Sequence, residues 1–462
     1  MSAVIQTSPS LLATPTHAQV LAVGDDRRAI AFDARGDISL DAFLSEVRGM
    51  AATLPEARYA INLCDDRYRF LVAFCAVALR GQTTLLPPSR APAAIEGVQR
   101  QHPDSYCISD DCVGDGAWPL LPQHHVRMPA ILPRLDGPPP HIDGEALVAI
   151  GFTSGSTGCP KPNAKTWNSF RTSTAQNLAA LQDLWPAGAT PHIVATVPPQ
   201  HMYGMELSVL LPLLGGAAVH GARPFFPGDV AAALRDARTH RLLVTTPVHL
   251  RALVESCVDL PALAAIVTAT APLPQALAAA AEARFGCEVR EVFGSTETCV
   301  IARRRTAIEE RWTPLPGVRV HPQPDGTLVH AAHLPAPVAL ADLVEVDGDG
   351  GFRLRGRQED LLEIAGKRAS LGDLTRCLLA IAGVEDGVVL QLDECEGNGV
   401  RRIAALVVAP TLDEAAIMRV LRDSIDPVFL PRRLLRVDAL PRNDTGKLPR
   451  DELLRLLQRD IA

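Results

Sequence analysis

Ala146-Leu147-Val148-Ala149-Ile150-Gly151-Phe152 runs straight into Thr153-Ser154-Gly155-Ser156-Thr157-Gly158-Cys159-Pro160-Lys161, an apolar strand pattern that delivers a loop of hydroxyls, glycines and one lysine. Glycines let a backbone approach a polyphosphate and turn its N–H groups inward, while hydroxyls and a lysine add donors and charge. The loop lacks the G-x-x-x-x-G-K-[ST] string of the ordinary nucleotide-binding loop and the G-x-S-x-G of a hydrolase elbow. By itself such a loop is as readily a flexible turn as a phosphate site.

Outward from it, strand-like and helix-like patterns alternate. Towards the N-terminus, Ala29–Phe32 and Tyr59–Leu63 read as strands, Leu40–Leu54 as a helix, and Tyr68–Leu79 as a buried helix stopping at Gly81. Beyond the loop the alternation returns at His192–Val197, Met205–Leu214, Ala217–His220, Leu242–Thr245 and His249–Ser256. Such alternation predicts an α/β fold of layered, parallel-rich sheets flanked by helices. Pro138-Pro139-Pro140 reads as a linker within this region. After Gly317, turn-rich segments such as Gln323-Pro324-Asp325-Gly326 separate short runs and predict a β-rich subdomain of antiparallel hairpins. The final stretch, with helix-like Leu371–Ile381 and Leu412–Ile425 and strand-like Gly387–Leu392 and Arg402–Val408, suffices for a small α+β domain.

At 462 residues the chain is long enough for two or more domains. A composition of 47% hydrophobic and 21% charged residues is that of a soluble globular protein, and a net charge of −7 gives no general pull toward nucleic acid or anionic lipid. No apolar run approaches the roughly 20 residues needed to span a bilayer, and Met1–Pro9 does not read as a secretory signal. The ten cysteines form no C-x-x-C pair and read as reduced, mostly buried thiols, and no zinc pattern occurs. The expected location is the cytoplasm.

Thr153 to Lys161 closely resembles the signature loop of the adenylate-forming superfamily, which includes acyl- and aryl-CoA synthetases, nonribosomal adenylation domains and luciferases. Further strings fit that family in the same order. Pro199-Gln200-His201-Met202-Tyr203-Gly204 looks like its gate motif, and Phe293-Gly294-Ser295-Thr296-Glu297 its aromatic-Gly-x-Thr-Glu motif. Asp342, then Gly356-Arg357-Gln358-Glu359-Asp360 with Gly366-Lys367-Arg368, match its ribose and hinge segment, and Pro441-Arg442-Asn443-Asp444-Thr445-Gly446-Lys447 its C-terminal lysine loop. The resemblance implies an N-terminal adenylation domain over 1–356 and a small mobile C-terminal lid over 357–462, with the hinge near Glu359.

It also implies roles. ATP would be held by Thr153, Ser154, Gly155, Ser156, Thr157, Gly158 and Lys161 around the phosphates, with Phe293 on adenine and Asp342 and Arg357 at the ribose. Thr296 would contact the α-phosphate, Glu297 would help hold Mg²⁺, and Lys447 would bridge the substrate carboxylate and the α-phosphate. His201, Met202, Tyr203, Gly204, Ala269, Thr270, Val292 and Gly294 would line the acyl pocket, and His201 would also act in the reaction. Gly366 would leave room for a pantetheine arm. The residue types suit the task. A carboxylate, with a reference pKa of about 4.3, needs no general base, so catalysis reduces to positioning and charge neutralisation. The sequence departs from the family at Ala341-Asp342-Leu343, where Thr-Gly-Asp is usual, and at Glu359, where Asp or Lys is usual. Glu297 as a solvated turn residue, Asp342 as a strand-edge residue and Lys447 as a surface lysine are the plain alternatives. Lys165 and Trp167 are open between touching phosphate and capping a helix.

Small residues beside one imidazole and one phenol suit a flat ring or short chain, and no Asp is placed for an α-ammonium group. Pro160-Lys161-Pro162-Asn163-Ala164-Lys165-Thr166-Trp167 and the compact length resemble the stand-alone ligases of bacterial aryl-polyene and xanthomonadin-type pigment pathways, which load an aromatic acid such as a hydroxybenzoate. The thiol acceptor is CoA or a separate acyl carrier protein, since the chain has no Leu-Gly-Gly-x-Ser carrier site of its own. The rivals are an adenylating enzyme for a fatty or amino acid, or for another nucleophile; a catalytically silent nucleotide-binding regulator on the same fold; and an unrelated phosphate-loop ATPase.

Overall fold

Ile193-Val194-Ala195, Leu242-Leu243-Val244 and Ala265-Ile266-Val267 are fully buried along their whole lengths, so helices must cover both faces of their sheet, as in parallel α/β layers. The computed structural model describes residues 18–110, 125–153, 160–238, 240–324, 326–357, 361–364, 367–395, 401–443 and 446–459.

Its largest sheet is nine-stranded. The parallel centre runs Glu288–Ser295, Ala265–Thr268, Arg241–Thr245, His192–Ala195, Ala218–His220 and Ala29–Asp33. Antiparallel edges are added by Cys299–Arg304 and Thr313–Pro314 on one side and Gly36–Ser39 on the other. A second, six-stranded sheet holds Tyr59–Asn62, Thr83–Leu86, Ser105–Ser109, His125–Arg127 and Leu147–Thr153, with Lys161–Thr166 as its antiparallel edge. The helix Arg67–Leu79 is apolar all round and touches strands of both sheets, so it lies between them. Asp66 caps its start through Oδ1 on Arg69 N at 2.8 Å, and Gly81, at φ +68°, turns the chain out of its end.

The Pro138–Pro140 stretch is a strap rather than a linker. Leu21 N donates to Pro140 O at 3.0 Å and Arg48 Nη1 to Pro138 O at 3.2 Å, and a single hydrophobic core runs past it from Leu21 to Phe352.

From Gly317 to Arg357 the strands are antiparallel, as the turns predict. Arg319–Gln323, Gly326–His330 and Val338–Leu340 form one sheet, and Asp342–Val346 pairs with Phe352–Arg357. A separate core begins at Leu371. There Asp386–Cys395, Arg401–Val408 and Arg433–Arg436 make a three-stranded sheet with helices on both faces. Ile403, Ala405 and Val407 pack with Leu371–Leu379 and Glu414–Ser424, while Ala404 and Leu406 pack with Arg450–Arg459. Period-two alternation thus serves two layers. Among the described residues no helix is long and apolar enough to cross a membrane.

Candidate active site

Thr153 and Lys161 face each other in the register of the strands Leu147–Thr153 and Lys161–Thr166. The strands on either side of the hydroxyl and glycine loop are therefore an antiparallel edge pair; Ser154, Gly155, Ser156, Thr157 and Gly158 themselves lie outside the described residues. Two residues below Thr153, Gly151 shows what this strand meets. A Cβ there would lie 2.7 Å from Thr296 Cγ2 and 3.1 Å from Met202 Cε. Strings far apart in sequence are thus in van der Waals contact at one place.

The gate segment is pinned from several sides. Gln200 Nε2 donates to Cys64 O at 2.6 Å. Gly204 lies against Pro198, where a Cβ would sit 2.0 Å from the carbonyl oxygen. The buried Tyr203 hydroxyl sits 2.9 Å from Val267 O and 3.2 Å from Thr245 O, at the carboxyl ends of two parallel strands. Its phenol is occupied by the scaffold, so the ring is what it offers a ligand. Arg67, fully buried, donates to Ala195 O at 2.9 Å, to Val197 O at 2.7 Å and to Ser208 Oγ, and burial lowers its pKa to about 9. Ala269 and Thr270 follow the strand Ala265–Thr268, and Thr270 holds φ +82°, a strained setting for a β-branched residue. With Val292 and Gly294 on Glu288–Ser295, these residues stand at the carboxyl edge of the central sheet, where open α/β sheets bind ligands.

Thr296 and Glu297 sit on the tight connection from Glu288–Ser295 to Cys299–Arg304, both partly exposed. Ser295 N donates to Thr298 Oγ1 at 3.1 Å and Thr298 N to Ser295 Oγ at 3.2 Å. Gly294 is required there, since a Cβ would lie 2.1 Å from Cys299 O, and Cys299 itself adopts φ +59°. Lys165, buried, donates from Nζ to Glu297 O at 2.8 Å, so it neither caps the helix Trp167–Leu181, whose cap is Thr166, nor stands open to solvent. Phe293 packs its ring 5.4 Å from Trp312 and 6.1 Å from Phe352 while staying partly exposed. Asp342 and Arg357 are directly opposite across their hairpin, and Thr327 Oγ1 donates to Asp342 O at 2.5 Å.

Lys447 comes from the other core. Its loop is closed by Lys447 N on Asn443 Oδ1 and Asn443 N on Lys447 O, both at 2.9 Å, and Arg442 ties it down through Asp386. Gly446, at φ +80°, rests beside the helix Pro247–Glu255, with room for a Cβ only 3.2 Å from Val248 Cγ2. The charge of Lys447 reaches His201. Burial first, and then that ammonium, push the imidazole pKa down to about 4. His201 is therefore neutral near pH 7, and its buried Nδ1 has no hydrogen-bond partner among the described residues. Glu359 and Gly366 lie outside the described residues, as do the side-chain surroundings of Arg357.

A buried polar layer behind the Thr296–Glu297 turn is absent from the sequence reading. Glu206 is buried in a π-helical segment; Asn177 Nδ2 donates to it at 2.9 Å, and Val300 N lies 3.0 and 3.2 Å from its two oxygens. Burial raises its pKa to about 7, against the opposing pull of those hydrogen bonds and of Lys165. His333 Nε2 lies 2.6 Å from Thr298 O. Glu206 stands a few residues past the gate string, which is the one signal that marked it. Among the described residues no three His, Cys, Asp or Glu side chains gather as a closed metal site. A single carboxylate such as Glu297, completed by phosphate oxygens and water, is the donor set that suits Mg²⁺.

The AMP-binding enzyme family model matches residues 49–349. A 4-coumarate–CoA ligase from Rhodobacter capsulatus is 32% identical over 307 residues, covering 66% of this chain and 75% of that protein. An indoleacetate–CoA ligase from Aromatoleum aromaticum is 25% identical over 389 residues, 74% of each chain. The o-succinylbenzoate coenzyme A synthetase from Bacillus subtilis, solved with ATP and magnesium ion, shares the fold at TM-score 0.78 and 17% identity, over 93% of this chain and 97% of that one.

Proposed function

The chain belongs to the AMP-binding enzyme family, and on that premise we propose that it activates a carboxylic acid with ATP to an acyl-adenylate and then passes the acyl group to a thiol. A carboxylate oxygen attacks the α-phosphorus, the bond to the β-phosphate oxygen breaks, and pyrophosphate leaves. The thiol then attacks the acyl carbonyl and AMP departs. The observation that carries this reading is the meeting of Gly151, Met202 and Thr296, from three separated strings, at one place, with the charge of Lys447 felt at His201.

Each residue's part follows from its chemistry. Lys447 sets an ammonium between two anions that must meet. Thr296 offers a hydroxyl to the α-phosphate, and Thr153 and Lys161 flank the loop that holds the outer phosphates. Glu297 would hold Mg²⁺, which when bound would supply positive charge to the polyphosphate. Asp342 has two acceptor oxygens for the ribose hydroxyls, with Arg357 across the hairpin. A neutral His201 adds no second cation to compete with Lys447 for the carboxylate.

The substrate class we assign is an aromatic acid such as a hydroxybenzoate. The small Ala269 at the carboxyl edge of the sheet supports it, and so do the coumarate and indoleacetate named for relatives. CoA is the favoured acceptor on those names, with a separate carrier protein as the other thiol. We place the division between adenylation domain and lid at 356/357, between the core that ends at Phe352 and the one that begins at Leu371.

A pyrophosphate-release screen over benzoates, cinnamates and short fatty acids, followed by CoA or holo-carrier addition, tests the assignment. Release with benzoates or cinnamates and CoA consumption are expected. ATP left intact with every acid would overturn it.

A further inference from the structure

A cation buried beneath a backbone turn is expensive to place, because losing hydration costs several kcal/mol unless polar partners replace it. Lys165 is such a cation, on the strand that leads away from the phosphate loop. Its Nζ holds Glu297 O at 2.8 Å, and its charge lowers the pKa of the buried Glu206 and Cys299 side chains against the upward push of burial.

We propose that Lys165 and Glu206 are positioning residues that brace the turn carrying Thr296 and Glu297 from behind, so that the Glu297 carboxylate is preset for the metal–nucleotide complex. This rests on the reading of Glu297 as the Mg²⁺ carboxylate.

Three backbone groups of this turn and its exit have side-chain partners outside it. Lys165 takes the carbonyl of Glu297 and His333 that of Thr298, while Glu206 takes the N–H of Val300. Asn177 fixes Glu206 in turn. The turn they hold is strained, with Cys299 at φ +59° and no space for a side chain at Gly294, and strain persists only where surroundings over-determine it. The π-helical segment Glu206–Leu210 carries the carboxylate, an irregularity frequent at functional sites. An apolar side chain at position 165 would fill the same space. A lysine there instead couples the hairpin of the phosphate loop directly to the metal-bearing turn.

The test measures equilibrium binding of ATP by the full chain, with EDTA and with Mg²⁺, for the wild type, Lys165→Met and Glu206→Gln. In Lys165→Met the affinity without Mg²⁺ stays within about twofold of wild type, while the gain from Mg²⁺ falls about tenfold, the size of effect that outer-shell partners of metal ligands have. Glu206→Gln keeps an acceptor for Val300 N and loses a smaller part of the gain. A wild-type Mg²⁺ gain in Lys165→Met overturns the inference. Should that variant not fold, an unchanged gain in Glu206→Gln overturns it instead. A wild-type chain that binds no ATP overturns the functional reading and this inference together, an outcome distinct from either.

Discussion

Lys447, in the loop before the last helix, sets its charge against the imidazole of His201 at the start of the gate helix, and the imidazole loses basicity as a result of burial and that charge together. The two residues belong to different hydrophobic cores.

Removing the ammonium should therefore return basicity to His201. In Lys447→Ala the imidazole pKa rises from about 4 toward its ordinary value, because one of its two depressing causes is gone. An NMR titration of the His201 ring reads this directly, and an unmoved midpoint would show that the lysine loop sits elsewhere in solution. The stability consequence has a definite sign. Between pH 6.5 and about 4 the unfolded chain takes up a proton that folded His201 refuses, so stability falls as pH falls through that window. His201→Asn should flatten that slope.

Glu206 has the opposite sign. Its pKa is raised from 4.5 to about 7, so the folded chain keeps a proton that the unfolded chain releases, and the associated stability is lost as pH rises through that interval. Glu206→Gln should then gain up to about 3 kcal/mol on wild type at pH 8 relative to pH 5, at about 1.4 kcal/mol per unit. Urea unfolding at the two pH values measures it. Equal differences at both would mean that the carboxyl ionises freely in the fold.

Gly151→Ala tests the contact between strand and turn. The new methyl would lie 2.7 Å from Thr296 Cγ2, and Thr is stiff about its first side-chain torsion. Overpacking of this kind costs about 1–3 kcal/mol. Thr296 should shift and pyrophosphate release should fall at least about tenfold. Gly228→Ala is the control, since nothing lies within 4 Å of a Cβ there; lying in the helix Pro227–Asp236, it should leave the rate unchanged and the melting temperature no lower than wild type.

Tyr203→Phe should lower stability by about 1–2 kcal/mol, the usual effect of stranding buried acceptors, while leaving the ranking of acids as in wild type. A changed ranking in the same screen would show the hydroxyl facing substrate rather than Val267 O and Thr245 O.

The layered sheets were legible because strands such as Ile193-Val194-Ala195 are buried on both faces and carry no polar residue to blur the pattern. The strand Arg433–Arg436 escaped notice, since arginines at both ends and Pro431 just before it hide a short apolar pair. Pro138–Pro140 misled for a related reason: proline suits an extended strap held by side chains as well as it suits a linker. In the site, residues within contiguous strings carry a local pattern that a sequence can show. Glu206, Asn177 and His333 were not, because a buried polar residue reveals its purpose only through partners distant in sequence, here Val300 and Thr298. Lys165 was left undecided for the same reason, with its partner carbonyl at Glu297.

On the proposed mechanism Lys447 serves adenylation and not thioester formation, and Lys447→Ala should separate the two half-reactions. Acid-dependent exchange of labelled pyrophosphate into ATP should fall by about 100-fold or more, the scale of losing one preorganised charge donor, while thioester formation from supplied acyl-adenylate stays within a few-fold of wild type. Exchange at the wild-type rate would show that Lys447 does not act in adenylation.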